Sequence, residues 1–432
     1  MSNETKGEPG VRRTCLANGI RLVTEKLPTF QSSALGFWIQ TGSRDEGASD
    51  GGISHFVEHL LFKGTKRRDA RAIAEEIETV GGHLNAFTSR EVTCYHARVL
   101  AEHNDIAVDV LSDVLCNSTF PEAEIEQERT VILAEIAEAE DSPEQLVHQL
   151  FDETFWKGGP LGRPICGTRQ SVESFQRTDF KRYVDGRYGP DRMVVTAAGE
   201  IDHDWLVGAI SEAFGDKGPA TTPLERGSAE SQAGLFVHER PAEQVQLVMG
   251  LPAVHATDPR RFAARVLSCA LGEGMSSRLF QEVREIRGLA YSIYSFLETH
   301  EHAGHLGVYG AMAAHAVPEA VEVIRGIFEQ VRREGLEDRE ITRARNQLLA
   351  GLHMGLESTV SRMQRLAMNE LYFGQQVELD IVRAEIAKVD AAAIGEVAEF
   401  VLNDEALNVT LLGPVGTQRP DLGRLPAALV QA

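Results

Sequence analysis

Polar and apolar positions along the chain fall into stretches of period two and stretches of period near 3.6, the signatures of strand and amphipathic helix. The segment TCLANGIRLVTEKLP predicts a hairpin turning at Asn18-Gly19, and SALGFWIQTGSRDE a buried strand running out into a charged loop. Residues 51–62 read as a helix, and DARAIAEEIETVGG as an amphipathic helix stopped by Gly81-Gly82. HLNAFTSREVTCYHARVL alternates like a pair of strands, and two more helices are predicted near 106–116 and 122–140. This mixture predicts an α+β fold, with helices packed on a largely antiparallel sheet.

The stretch GDKGPATTPLERGSAESQAG is rich in Gly, Pro, Ser and Thr and reads as a linker. Beyond it the pattern starts again. GLFVHERPAEQVQLVMGLPA matches the early strands, RRFAARVLSCALGEGMSSRLFQEVREIRG the helices, and LAYSIYSFLETHEHAGHLGVYGAM the strand pair. At 432 residues the chain exceeds the roughly 250–300 at which one core stops growing. Two duplicated domains are therefore expected, over 1–217 and 235–432 with a linker at 218–234, although two unrelated α+β domains could give a similar string. A gapless match of Gly52 to Gly274 sets Ser277, Phe280 and Gln281 opposite His55, Glu58 and His59.

Composition narrows the picture. The apolar fraction of 43% and charged fraction of 25% are those of a globular protein, and the formal net charge of −21 disfavours nucleic acid and anionic membrane while favouring cationic ligands such as basic peptides. Five scattered cysteines with no C-x-x-C spacing argue against a disulfide framework and a thiolate zinc site, and point to a reducing compartment, a bacterial cytoplasm before an organelle matrix. The N-terminal MSNETKGEPGVRR lacks an apolar signal segment, and no run of about 18 apolar residues predicts a membrane span.

One helix breaks the apolar pattern. In GGISHFVEHLLFKGT, His55, Glu58 and His59 share one narrow sector while Phe56, Val57, Leu60 and Leu61 fill the opposite side. Histidines four apart on a helix can share a metal ion, and the glutamate between them can reach a metal-bound water. The order H-x-x-E-H inverts the commoner H-E-x-x-H of zinc proteases. A catalytic zinc normally takes a third protein ligand. Composition leaves Glu135, the one charge in VILAEIA, level with Glu138 for that role. The histidines of ETHEHAGH, at 300, 302 and 305, have Gly and acidic neighbours and read as a loop rather than a second metal site.

HFVEHLLFKGT, followed by Glu135 within ERTVILAEI, resembles the pitrilysin and mitochondrial processing peptidase family of zinc metallopeptidases. GGHLNAFTSREVTCY, DRMVVTAAGEI and MSSRLFQEVREIRGLAYSIYSF extend the likeness over nearly the whole chain, and the length matches the two-domain, processing-peptidase branch. The resemblance implies one zinc ion per chain on His55, His59 and Glu135, Glu58 as catalytic base, and Glu128 as a carboxylate orienting a ligand histidine. It implies a substrate strand laid along LNAFT with Asn85 on the peptide backbone, and an Arg284 and Tyr291 pair meeting substrate near the scissile bond, Tyr291 stabilising the oxyanion. The expected protein hydrolyses unfolded, basic or presequence-like peptides inside an enclosed chamber, as a homodimer whose sites are completed in trans. The alternative is a non-catalytic structural or regulatory subunit of the same fold.

Overall fold

The computed structural model describes residues 10–422 and 429–431. They form two compact units: 10–137 with 164–226 and 353–379, and 138–163 with 227–352, 380–422 and 429–431.

The first unit is built on a six-stranded mixed sheet of β1 (Val11–Cys15), β2 (Arg21–Lys26), β3 (Ser32–Ile39), β4 (His83–Thr88), β5 (Thr93–Leu100) and β6 (Met193–Gly199), in the order β1-β2-β6-β3-β5-β4. Only β2 and β6 run parallel. The expected hairpin is present as β1 and β2, with Gly19 at φ +100 in its turn. One face carries α1 (Ile53–Leu61), α2 (Ala70–Thr79) and α3 (Asn104–Asn117), packed through Phe37, Phe56, Leu60, Tyr95 and Leu111. The other face is closed by the helix Thr359–Phe373, whose Met363, Leu366 and Ala367 meet Val23, Trp38 and Val194. Gly36 leaves room for this contact, since a Cβ at that position would lie 2.7 Å from Met363 Sδ and displace the methionine side chain.

The second unit repeats the plan with β7 (Gly234–Glu239), β8 (Val245–Pro252), β9 (Ala290–Thr299), β10 (Gly304–Met312), β11 (Asn408–Gly413) and β12 (Leu429–Gln431), in the order β12-β7-β11-β8-β10-β9. Strands β7 and β11 are parallel, as β2 and β6 are, and the remaining strands correspond one for one except at the β1 and β12 edge. Its second face is closed by the helix Pro143–Phe155, with Phe151 over Gly250, where a Cβ would meet the ring at 2.1 Å. Each half of the sequence thus gives one covering helix to the unit built by the other half.

Two expectations are corrected. The order of elements sets the helix Arg261–Gly272 opposite α1: α1 packs on β4 and the helix Arg177–Arg187, and Arg261–Gly272 packs on β9 and the helix Ala391–Val401. Gly274 therefore opens the next element, a π-helical turn at Phe280–Ile286, so the pairing of Gly52 with Gly274 is out of register. Arg261–Gly272 itself contains no histidine or carboxylate. His305 is also not in a loop. It lies in β10, 1% exposed, with its ring 5.3 Å from that of Phe155, and His300 is buried in the preceding turn.

Candidate metal centre

The α1 helix starts at Gly52, held at φ +91, a conformation open to glycine. Its first N–H groups have no local cap. Instead the buried carboxylate of Glu46 accepts from the amides of Gly52 and Ser54, both at 2.8 Å, and places negative charge at the helix N-terminus. Phe56, Val57, Leu60 and Leu61 are wholly buried, each contributing about 1.5–3 kcal/mol, and this apolar face anchors the helix to the core.

That other face converges as the spacing predicts. The rings of His55 and His59 lie with centroids 4.7 Å apart. Glu135, on the helix Glu122–Asp141, places Oε2 3.8 Å from Nε2 of both. This is too long for a hydrogen bond. It is near the spacing of about 3.3 Å between ligands that follows from a tetrahedral ion with bonds of about 2.0–2.1 Å, so Glu135 could share a zinc ion with either histidine. Burial, and secondarily the charge of His59, lower the pKa of His55 to about 4. Its imidazole is therefore neutral at pH 7, with a lone pair to offer.

The surrounding carboxylates differ in role. Glu128, buried two turns before Glu135, sets Oε2 3.4 Å from His59 Nδ1 and Oε1 2.9 Å from Lys63 Nζ. A proton on Nδ1 facing Glu128 leaves the lone pair of His59 Nε2 free to bind a metal on the side of Glu135, and Lys63 balances the buried charge. Glu58 accepts a 2.6 Å hydrogen bond from Thr88 Oγ1 at the end of β4. Burial raises its pKa, opposed first by the Thr88 bond and then by His59.

His55, Glu58, His59, Glu128 and Glu135 are thus brought together. Asn85 sits on β4, the edge strand of the first sheet, with Oδ1 accepting from the Ala86 amide at 2.8 Å. Arg284 and Tyr291 lie together in the second unit, the guanidinium 5.5 Å from the Tyr291 ring centre, and Tyr291 is 74% exposed. Lys63, Thr88, Glu46 and Cys166 were not singled out by sequence. Lys63 is four residues past His59 and could have been found by helical spacing; the others touch α1 only through the fold.

Two groupings of potential ligands occur among the described residues. Ligand atoms of His55, Glu135 and Cys166 all lie within 4.8 Å of one another, and so do those of Asp152, Glu298 and His305 in the second unit.

The sequence model of the family described as insulinase, peptidase family M16, matches residues 21–169, and that of the peptidase M16 inactive domain matches 174–348. The chain belongs to peptidase family M16. Its relatives in the family include uncharacterized zinc proteases of Streptomyces coelicolor, 41% identical over 95% of this chain and 92% of the relative, and of Mycobacterium tuberculosis, 40% identical over 94% of each. A third, from Bacillus subtilis, is 38% identical over 94% of this chain and 99% of the relative. Among solved structures, a peptidase M16 inactive domain from Pseudomonas fluorescens superposes with a TM-score of 0.88 over 95% of this chain and 99% of that one, at 20% identity. A protease from Helicobacter pylori gives 0.87 over 94% and 100%, also at 20%, so these two bear on fold alone. M16 membership and the candidate ligand clusters together support a zinc-dependent metallopeptidase. No helix among the described residues is long and apolar enough to cross a membrane.

Proposed function

We propose that the chain is a zinc endopeptidase of the two-domain, processing-peptidase branch, cutting unfolded, basic peptide segments. The observation that carries this reading is the approach of two imidazole Nε2 atoms to one Glu135 oxygen, each at 3.8 Å, with Glu58 on the same helix face. His55, His59 and Glu135 would hold one zinc ion per chain. Bound there, zinc supplies Lewis-acid chemistry, polarising a carbonyl and bringing the pKa of water toward about 7.

The chain's own groups do the rest. Glu58 takes the proton of the attacking water and returns it to the leaving amine, a role for which a burial-raised pKa is suited. Thr88 fixes one oxygen of Glu58 and so aims the other. Glu128 holds the His59 ring in place. The β4 edge offers backbone groups for an added substrate strand, Asn85 among its contacts, beside an apolar cleft lined by Phe62, Ile73, Ile77 and Leu84. Arg284 and Tyr291 bind substrate near the scissile bond, Tyr291 donating to the developing oxyanion.

In this reading 1–217 is the catalytic domain, 218–234 the linker and 235–432 the substrate-binding domain. One chain carries both residue sets, which supports a homodimer enclosing a chamber with sites completed in trans. The acidic surface supports basic substrates, and the five free cysteines support a cytoplasmic setting.

Zinc content and peptide hydrolysis, measured together, test the reading. Glu58→Gln should keep one zinc per chain and lose at least about a hundredfold in kcat, as expected for a general base, whereas His55→Ala should lose both metal and turnover. Stoichiometric zinc in the unaltered protein with no hydrolysis of any unfolded peptide would favour the non-catalytic subunit instead.

A further inference from the structure

We propose that Cys166 is a further protein donor to the metal ion, one that occupies the position used by water and so closes the centre until substrate displaces it. This rests on the metal centre described above. The sulfur lies with the Nε2 or Nδ1 of His55 and a carboxylate oxygen of Glu135 in a group whose members are all within 4.8 Å, so a small closing movement of the side chains would bring them to the roughly 3.3–3.6 Å between ligands of one tetrahedral ion.

The backbone, not a flexible side chain, sets that proximity. Residues 166 and 167 run directly against the start of α1. A Cβ on Gly52 would lie 2.6 Å from the Cys166 carbonyl oxygen, and one on Gly167, itself at φ +75, would lie 2.3 Å from the Gly51 carbonyl oxygen. Ser171 Oγ donates to the same Gly51 carbonyl at 2.7 Å, and its amide donates to Thr168 Oγ1 at 3.1 Å, latching the loop to the turn that precedes His55. His55 follows Gly52 by three residues, so the thiol and the first histidine are held by one tight backbone junction.

A small apolar filler is the bland role for a half-buried cysteine, and Cys166 does pack at the border of the core. Any aliphatic residue would serve that purpose. Of the five cysteines, Cys166 alone is grouped with candidate metal donors among the described residues. A soft thiolate is also a stronger zinc ligand than water. With an ion bound, the Cys166 thiol would give up its proton to solvent and take the place of one water; on entry of peptide the sulfur would regain a proton from solvent and a water would return. No oxidant or reductant takes part.

Cobalt(II) in the Glu58→Gln protein tests the inference without turnover. The expected result is one cobalt per chain with a near-ultraviolet thiolate-to-cobalt charge-transfer band, which fades when an unfolded basic peptide is added. In Glu58→Gln/Cys166→Ser and Glu58→Gln/Cys166→Ala the band should vanish while cobalt stays stoichiometric, with a dissociation constant about tenfold higher or more. Stoichiometric, His55-dependent cobalt with no band, or with a band that survives both cysteine substitutions, would overturn the role of Cys166 and leave the metal centre standing. Absence of cobalt from all three proteins would overturn both.

Discussion

Thr88 and His55 show how single side chains set the chemistry. The Thr88 hydroxyl makes a 2.6 Å bond to Glu58, and hydrogen bonds to charged groups are worth about 1.5–3 kcal/mol. Thr88→Val should therefore lower kcat by about 10- to 100-fold with little change in KM, and Thr88→Ser should recover most of it. The same bond opposes the burial that raises the Glu58 pKa, so in Thr88→Val the acid limb of the kcat/KM profile should move to higher pH. His55 gives a second pH effect, on stability. With metal chelated, its pKa of about 4 in the folded protein lies below the ordinary 6.5, so as pH falls from 6.5 the unfolded chain takes up the proton first. Stability is unaffected by this group above about 6.5 and falls by about 3 kcal/mol on reaching pH 4. Urea titrations of chelated protein should show that loss, and His55→Gln should lack it. The pair of histidines and Glu58 were legible because a helix turns fixed spacing into a shared face. Thr88 and Cys166 were not, since nothing in their local sequence says which helix they meet.

Among elements, the order of strands and helices was readable because each has its own period, and the repeat was readable because that order recurs. The destination of each helix was not. The amphipathic face of Thr359–Phe373 records that it is buried, and not that it lies on a sheet formed by the other half of the chain. The glycine match failed for a related reason: Gly52 and Gly274 adopt nearly the same conformation, φ +91 and +89, which marks a helix start and carries no address. A fragment ending at residue 234 would keep the first sheet and lose the helix over Val23, Trp38 and Val194. We expect it to aggregate or bind a hydrophobic dye, and to be restored by co-expression with the remainder of the chain; a monomeric, cooperatively folding fragment would contradict the packing described.

At the scale of the whole molecule, the proposed assembly makes a test of its own. Glu58→Gln chains lack the base and Tyr291→Phe chains lack the oxyanion donor, yet a mixed dimer would combine one intact catalytic domain with one intact substrate-binding domain. Mixing the two after dissociation should bring back activity approaching a quarter of the unaltered level. If verified mixing gives no more than either variant alone, sites are not completed in trans.

The traded helices also constrain how such a protein can have arisen. A polypeptide of half this length, with the same succession of strands and helices, would have had no covering for the back of its sheet except the matching helix of a second copy. A reciprocal loan between two identical molecules, once their genes were joined end to end, becomes the internal one seen now.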